Sequence, residues 1–383
     1  MIPDWLAARR ATAAREAQQA ALPTAAQEVW RYSPIDELDL SKYTPVDAPS
    51  AEDLPVEHPL IPAHRAALVI VRDDAIVHIE NNAEGITITP FAELDEVPAN
   101  LGTAVSEPDA LTLRNDANSN GVLVSVARNA VVEGPVVVVH DVTADRSVTY
   151  PRVLVDAATS SEVTVIDVST SADVDALILP VVELHAAANA TLRYQSVQAL
   201  GPRVWQVGYT GARVERDGHL TVAAVALGGA YARNRLDSKV LGAGAEAELI
   251  AAYFGSGTQI HDFRTLQDHH AGKTTSDLLF KGVLTDRSRS TYSGLIRIRP
   301  GAAGAAAFQT NRNLVLGDGA HADSVPNLEI EENDVKCSHA SAVGPVDEDQ
   351  LYYLEARGVP TDIAERLIVM GFFDDVLERM PVA

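Results

Sequence analysis

The sequence predicts a mainly β protein whose core is a solenoid, a β-helix, with helical regions at both ends. Between about Ala66 and Val335, short runs such as AALVIVRD, GPVVVVHDV, EVTVIDV and HLTVAAVAL alternate with Gly, Asn, Asp and Ser. These are β-rich segments bounded by turn residues. Within that region Val163, Leu192, Leu220, Leu249 and Leu278 recur at gaps of 29, 28, 29 and 29 residues. A small or polar residue precedes each anchor: Ser161, Ala190, Gly218, Ala245 and Ser276. Near-constant spacing of strand-plus-turn units is the mark of a repeat in which each unit buries its apolar face on the next. Aromatic residues make up only 5% of the chain, which suits many thin stacked layers better than a core centred on large rings. A large β-sandwich or barrel with fortuitous spacing is the alternative.

The elements follow in order. The first 22 residues are rich in Ala, Arg, Glu and Gln, good helix formers. Pro23, Pro34, Pro45, Pro49, Pro55, Pro59 and Pro62 then break any long helix, so residues 1–64 form a helical and Pro-rich segment. The β-helix core is expected over 65–336 and a helical tail over 337–383. In the tail, Asp347 with Gln350 resembles a capping box, and Gly358 then Pro360 close a first helix. Thr361 is expected to cap a second, with Ile363, Leu367 and Met370 on one face. Gly371 is expected to end it, before a further short turn in FFDDVLERM. Such short helices need a surface: either the chain's own β domain or a partner.

Composition narrows the function. Acidic residues outnumber basic ones 53 to 30, for a net charge of −23, and no basic block appears. Nucleic acid and anionic membrane surfaces are therefore poor partners. One cysteine forms no internal disulfide and builds no four-cysteine site, which fits a reducing compartment. No signal peptide and no apolar run of about 18 residues is present. A cytoplasmic protein is expected.

The chemistry-bearing motifs are few. AGKTTS at 271–276 has Gln267 where a phosphate loop needs its first glycine, so it is no P-loop. HDFRTLQDHH carries His261, Asp262, Asp268, His269 and His270, but adjacent His269 and His270 point to opposite faces of a strand. Cys337 and His339, two apart, share a face and can meet one metal or one partner surface. An inert structural pair, metal or cluster work, and nucleophilic catalysis all stay open for them. The acidic residues Glu329, Glu331, Glu332 and Asp334 come just before.

The string PNLEIEENDVKCSHASAVGPVDEDQLYYLEARGV resembles the signature of the SufB/SufD family of iron–sulfur cluster assembly proteins. HDFRTLQDHHAGKTTSDLLFKGVLTDRSRSTYSGLIRI resembles the family's central core, and LPTAAQEVWRYSPI its segment before the β domain. FQTNRNLVLG places Asn311 near where SufB-like scaffolds carry an acceptor cysteine, and DVKCSHAS is the SufD form. The resemblance is therefore to a SufD-like subunit.

That resemblance implies a right-handed parallel β-helix and a non-enzymatic scaffold subunit. It implies a heterodimer with a SufB-like scaffold (a homodimer when alone) and a SufC-like ABC-type ATPase docked on the C-terminal helices through Leu351, Leu354, Ile363, Leu367, Phe372 and Phe373. Iron or an iron–sulfur cluster would be held transiently, shared with the partner and not stably bound by the isolated chain. His339 would be the metal-side group at the subunit interface, with Cys337 auxiliary. A cytoplasmic β-helix enzyme acting on a carbohydrate or acyl substrate is the competing expectation.

Overall fold

A computed structural model describes residues 2–46 and 59–382; the expected breaks at Pro49 and Pro55 lie outside the described residues. Two parallel sheets face each other, and the chain alternates between them. The first sheet stacks eight parallel strands from Val122–Val126 to His321–Ile330, and the second eight from Val136–Val142 to Lys336–Gly344. Each successive pair makes one turn of a parallel β-solenoid of about eight turns.

Alternation sends every second side chain into the lumen. On the strand Thr275–Leu284 the inward set is Ser276, Leu278, Phe280, Gly282 and Leu284, all buried. Register aligns these sets into ladders. One runs Val136, Val165, Tyr194, Val222, Leu249, Leu278, Gln309, His339 through successive strands of the second sheet. The inner face is thus a long apolar core of Val, Leu and Ala, which turns polar toward the late turns.

The repeat anchors all fall on the inward face: Leu249 and Leu278 on this ladder, and Val163, Leu192 and Leu220 on the ladder two residues earlier. Val163 pairs with Leu192, Leu192 with Leu220, and Leu249 with Leu278. Leu220, however, pairs with Ala247, and Leu249 with Val222. That turn is two residues shorter than the anchors imply, and a two-residue slip keeps the same face inward. In six successive turns one corner holds a left-handed residue at the same place: Ser160, Asn189, Asp217, Gly244, Lys273 and Gly304, with φ between 54° and 77°. Asn and Asp tolerate this region and Gly adopts it freely. Lys273, in the rejected phosphate-loop stretch, is one of these corner residues.

The early end is closed. Ala67–Arg72 and Ala75–Asn81 pair antiparallel, and Ile86–Pro90 pairs antiparallel with Val122–Val126. Two helices flank the core near this end. Helix α1 (Asp4–Gln19) packs against α2 (Ala110–Asn118). Helix α2 is capped by Asp109 and anchored by Asn115, whose amide donates to Pro151 O and Leu179 O. Sequence reading placed no helix inside the β region.

The tail differs from expectation in three places. The solenoid continues through Lys336–Gly344, so Cys337 and His339 lie on its last strand, and the tail helices begin only with α3 (Glu348–Glu355). Asp347 caps α3 by accepting from Asp349 N and Gln350 N. Helix α4 (Thr361–Leu377) starts after Pro360, and the Thr361 hydroxyl donates to Glu355 instead of capping. Gly371 does not end α4: the helix runs on through FFDDVL, because Val376 then reaches the outer face of the second sheet and is fully buried on Ala223, Ile250, Ala252 and Leu279.

Candidate functional site

The late end of the solenoid is open. His321–Ile330 and Lys336–Gly344 are the outermost strands of their sheets, with no further turn stacked on them among the described residues. Ten- and nine-residue parallel strands thus present an unpaired backbone edge, which proteins ordinarily blunt or cover. Pro326 and Lys336 are modest blunting devices.

Several side chains that would be core in any earlier turn are exposed here. On the first sheet the inward row is Ala322, Ser324, Pro326, Leu328 and Ile330, in register with Ser290, Tyr292, Gly294, Ile296 and Ile298. On the second it is Cys337, His339, Ser341 and Val343, in register with Ala307, Gln309, Asn311 and Asn313. Ile296, Ile298, Ala307 and Gln309 are buried to 1% exposure or less. One turn later Leu328 is 39%, Ile330 44% and Val343 45% exposed. Ser341 donates across the lumen to Ser324 at 2.8 Å, tying the two rows together.

Cys337 and His339 share this inward face, separated by about 6.6 Å of strand rise. Cys337 packs beside Ile296, Ile298, Ala302, Ala305 and Ala307. Burial pushes its thiol pKa up, which favours the neutral thiol over a thiolate nucleophile. His339 stands free at the mouth, stacked on Gln309. Both polar atoms of the Gln309 amide are buried without a partner among the described residues, and the Gln267 amide donates to Ser276 Oγ at 2.7 Å nearby. His269, fully buried, bonds Thr274 at 2.7 Å and Ser276 at 2.8 Å. The lumen behind the mouth is therefore polar. Asn311 is buried there, with its amide toward Tyr253 OH and Phe280 O.

The other sequence candidates separate. His261 and His269 point into the lumen, and burial lowers each pKa to about 4. Asp262 and Asp268 face outward: Asp262 binds Arg233, Arg264 and Tyr231, and Asp268 binds Arg299 and His270. The acidic run is also committed in part, Glu329 to Arg297 and Glu332 to Gly301 N and Asn333 N. Among the described residues no group of three or more His, Cys, Asp or Glu is placed to hold a metal ion. Cys337 and His339 are two potential ligands on one face.

In the tail, Phe372 and Phe373 turn inward. Lys281 Nζ lies 4.7 Å over the Phe372 ring, donates to Phe372 O at 2.7 Å and pairs with Asp375 at 2.5 Å. Phe373 packs on the same sheet face as Val376. Leu351 and Leu354 are half-buried, whereas Ile363, Leu367 and Met370 stay exposed, as do Tyr352 and Tyr353 of α3. The helical end is both docked on its own core and partly unpartnered. No helix among the described residues is long and apolar enough to cross a membrane.

Residues 140–372 match the family described as "SUF system FeS cluster assembly, SufBD core domain". The chain is 29% identical to the iron–sulfur cluster assembly protein SufD of Bacillus subtilis over 99% of its own length and 91% of that protein. It is 24% identical to SufD of Escherichia coli over 94% and 85% respectively. An iron–sulfur cluster assembly SufBD family protein of Mycobacterium tuberculosis is 42% identical over 179 residues, 45% of each chain, so this match spans under half the length of that relative. With its core domain matched over the turns described above, the chain belongs to the SufBD family of the SUF system for iron–sulfur cluster assembly.

Proposed function

We propose that the protein is a SufD-type, non-enzymatic subunit of a cytoplasmic assembly complex, joined to a SufB-type scaffold through the open end of its solenoid. The observation that carries this is the last turn: two unpaired edges and an inward row whose apolar members are exposed. A second solenoid stacked there would pair both edges and bury Leu328, Ile330 and Val343. It would also bring its own side chains to Cys337 and His339, supplying the ligands this chain lacks. His339, a neutral imidazole donor suited to iron, then takes part in holding iron or the nascent cluster as cargo at the seam, with Cys337 beside it in a lesser role. Likeness to the two SufD proteins over most of the chain supports the SufD assignment, as does an amide instead of a thiol at Asn311. The exposed apolar residues of α3 and α4 serve as the landing surface for an ABC-type ATPase.

The seam is tested by Leu328→Asp, which places a charge on an exposed inward position. The variant should keep the wild-type melting temperature yet fail to co-purify with a co-expressed SufB-type partner. Undiminished co-purification would refute the seam.

A further inference from the structure

On the outer face of the first sheet, a cleft of about 510 Å³ crosses the later turns, from the strand Trp205–Val214 to the strand Arg289–Ile298 next to the last. Val29 of the N-terminal segment and Ser106 and Glu107, ahead of α2, form one side. Its lining includes Arg213, Arg235, Lys239, Arg264, Arg297 and Arg299, an unusual gathering for a chain of net charge −23. No basic block shows in the sequence because the solenoid repeat spreads these residues over 87 positions (299 − 213 + 1).

Most of these cations are neutralised in place. Arg235 is forked on Asp237 at 3.1 and 2.8 Å, Arg264 bonds Asp262 at 2.6 Å, Arg297 bonds Glu329 at 2.9 Å, and Arg299 is forked on Asp268 at 2.8 and 2.9 Å. Two are not. Arg213 and Lys239 are direct register partners on adjacent strands, about 4.8 Å apart in the backbone. Like charges in that relation repel. Arg213 is paired loosely, at 3.6 Å, with the half-exposed Glu215 just past the end of its strand, and Lys239 forms no ion pair among the described residues. The nearest carboxylate in the column, Asp268, already takes both Arg299 nitrogens and His270 at 3.0 Å. Partial burial and the charge of Arg213 lower the Lys239 pKa, as expected for an ammonium missing its counter-charge.

We propose that this cleft binds a phosphate-bearing small molecule, its anionic group bridging Lys239 and Arg213 and its organic part filling the space toward Val29. A bridging phosphate relieves the repulsion and offers the planar guanidinium two acceptors. The volume falls within the range of small-molecule sites and exceeds what a lone phosphate fills.

The test is titration calorimetry of the full chain with ADP, inorganic pyrophosphate and a hexaglutamate peptide at low ionic strength. Wild type is compared with Lys239→Gln, Arg213→Gln and, as a control on the other sheet, Arg193→Gln. ADP should bind more tightly than pyrophosphate, and at least tenfold more weakly to the Lys239 and Arg213 variants, with the control unchanged. Unliganded Lys239→Gln should melt at or above the wild-type temperature, because it removes a repulsion. Equal affinity for ADP and pyrophosphate, no ADP binding, binding indifferent to both cations, or preference for the peptide would each overturn the proposal. So would a lower melting temperature for unliganded Lys239→Gln, which would make the lysine a structural group.

Discussion

Lys281 decides how firmly α4 is held, and Lys281→Met isolates its contribution. The ammonium is 6% exposed, donates to Phe372 O and Asp375, and lies over the Phe372 ring. Hydrogen bonds to a charged group contribute about 1.5–3 kcal/mol each. The Asp375 partner is 57% exposed, so its share is heavily screened. Methionine keeps the apolar stem and removes both the bonds and the cost of desolvating the ammonium. The net loss should be about 2 kcal/mol, localised to the contact between α4 and the second sheet. Val376, Phe373 and the Arg379 pairs with Glu248 and Asp277 remain, so the helix stays docked but opens more often. At about 1.4 kcal/mol per tenfold, amide exchange across residues 366–377 should accelerate roughly 25-fold. Exchange in the strands Glu246–Gly255 and Thr275–Leu284, and the global melting temperature, should hardly move, since local opening is separable from global unfolding. Hydrogen–deuterium exchange with peptide-level resolution reads both. Unchanged protection of α4, or equal loss across solenoid and helix, would refute this account of the tail.

Three further outcomes follow from the interior. Burial holds His185, His261 and His269 at pKa values of about 4, against 6.5 for a free imidazole. The unfolded chain therefore takes up protons first as pH falls, so stability is full above 6.5, declines between 6.5 and 4, and levels below. Each contributes up to about 3 kcal/mol. Urea midpoints from pH 7 to 4.5 should fall, and His269→Gln should flatten the slope; identical slopes would contradict the assignment. A Cβ on Gly282 would meet the Tyr253 ring 2.0 Å away, so Gly282→Ala should cost about 1–3 kcal/mol in denaturant melts, and a neutral result would mean the lumen is looser than described. The isolated chain, with Cys337 and His339 as its proposed ligands, should reconstitute with iron and sulfide to a colourless or weakly coloured product. A stable absorbing cluster on the single chain would argue against a shared seam.

Much of this architecture was legible because a solenoid writes its period into the chain. Val163, Leu192 and Leu249 occupy inward positions that repeat every turn, and a two-residue error at Leu220 does no harm, since facing has period two. The polar corner could not be read as sharply: Asn189 and Asp217 advertise a left-handed residue, whereas Ser160 and Lys273 do not. Cys337 and His339 sharing a face followed from i, i+2 spacing, but their place in the lumen needed the register to Ala307 and Gln309. Gly371 misled because a mid-helix glycine costs only about 1 kcal/mol, less than burying Val376 and Phe373 returns. The cationic cleft was invisible, since its members are far apart in sequence and meet only across strands.

The central claim is that the open last turn, with His339 at its mouth, is where this chain takes part in cluster assembly. The most direct measurement is iron and acid-labile sulfide content of the complex co-expressed with a SufB-type scaffold and an ABC-type ATPase, for wild type, His339→Ala and Cys337→Ser, with melting curves and subunit stoichiometry alongside. His339 is exposed, so His339→Ala should leave folding and assembly nearly intact while strongly reducing cluster content, and Cys337→Ser should do much less. Wild-type cluster content in His339→Ala, or a Cys337→Ser complex as depleted as the His339 one, would contradict the claim.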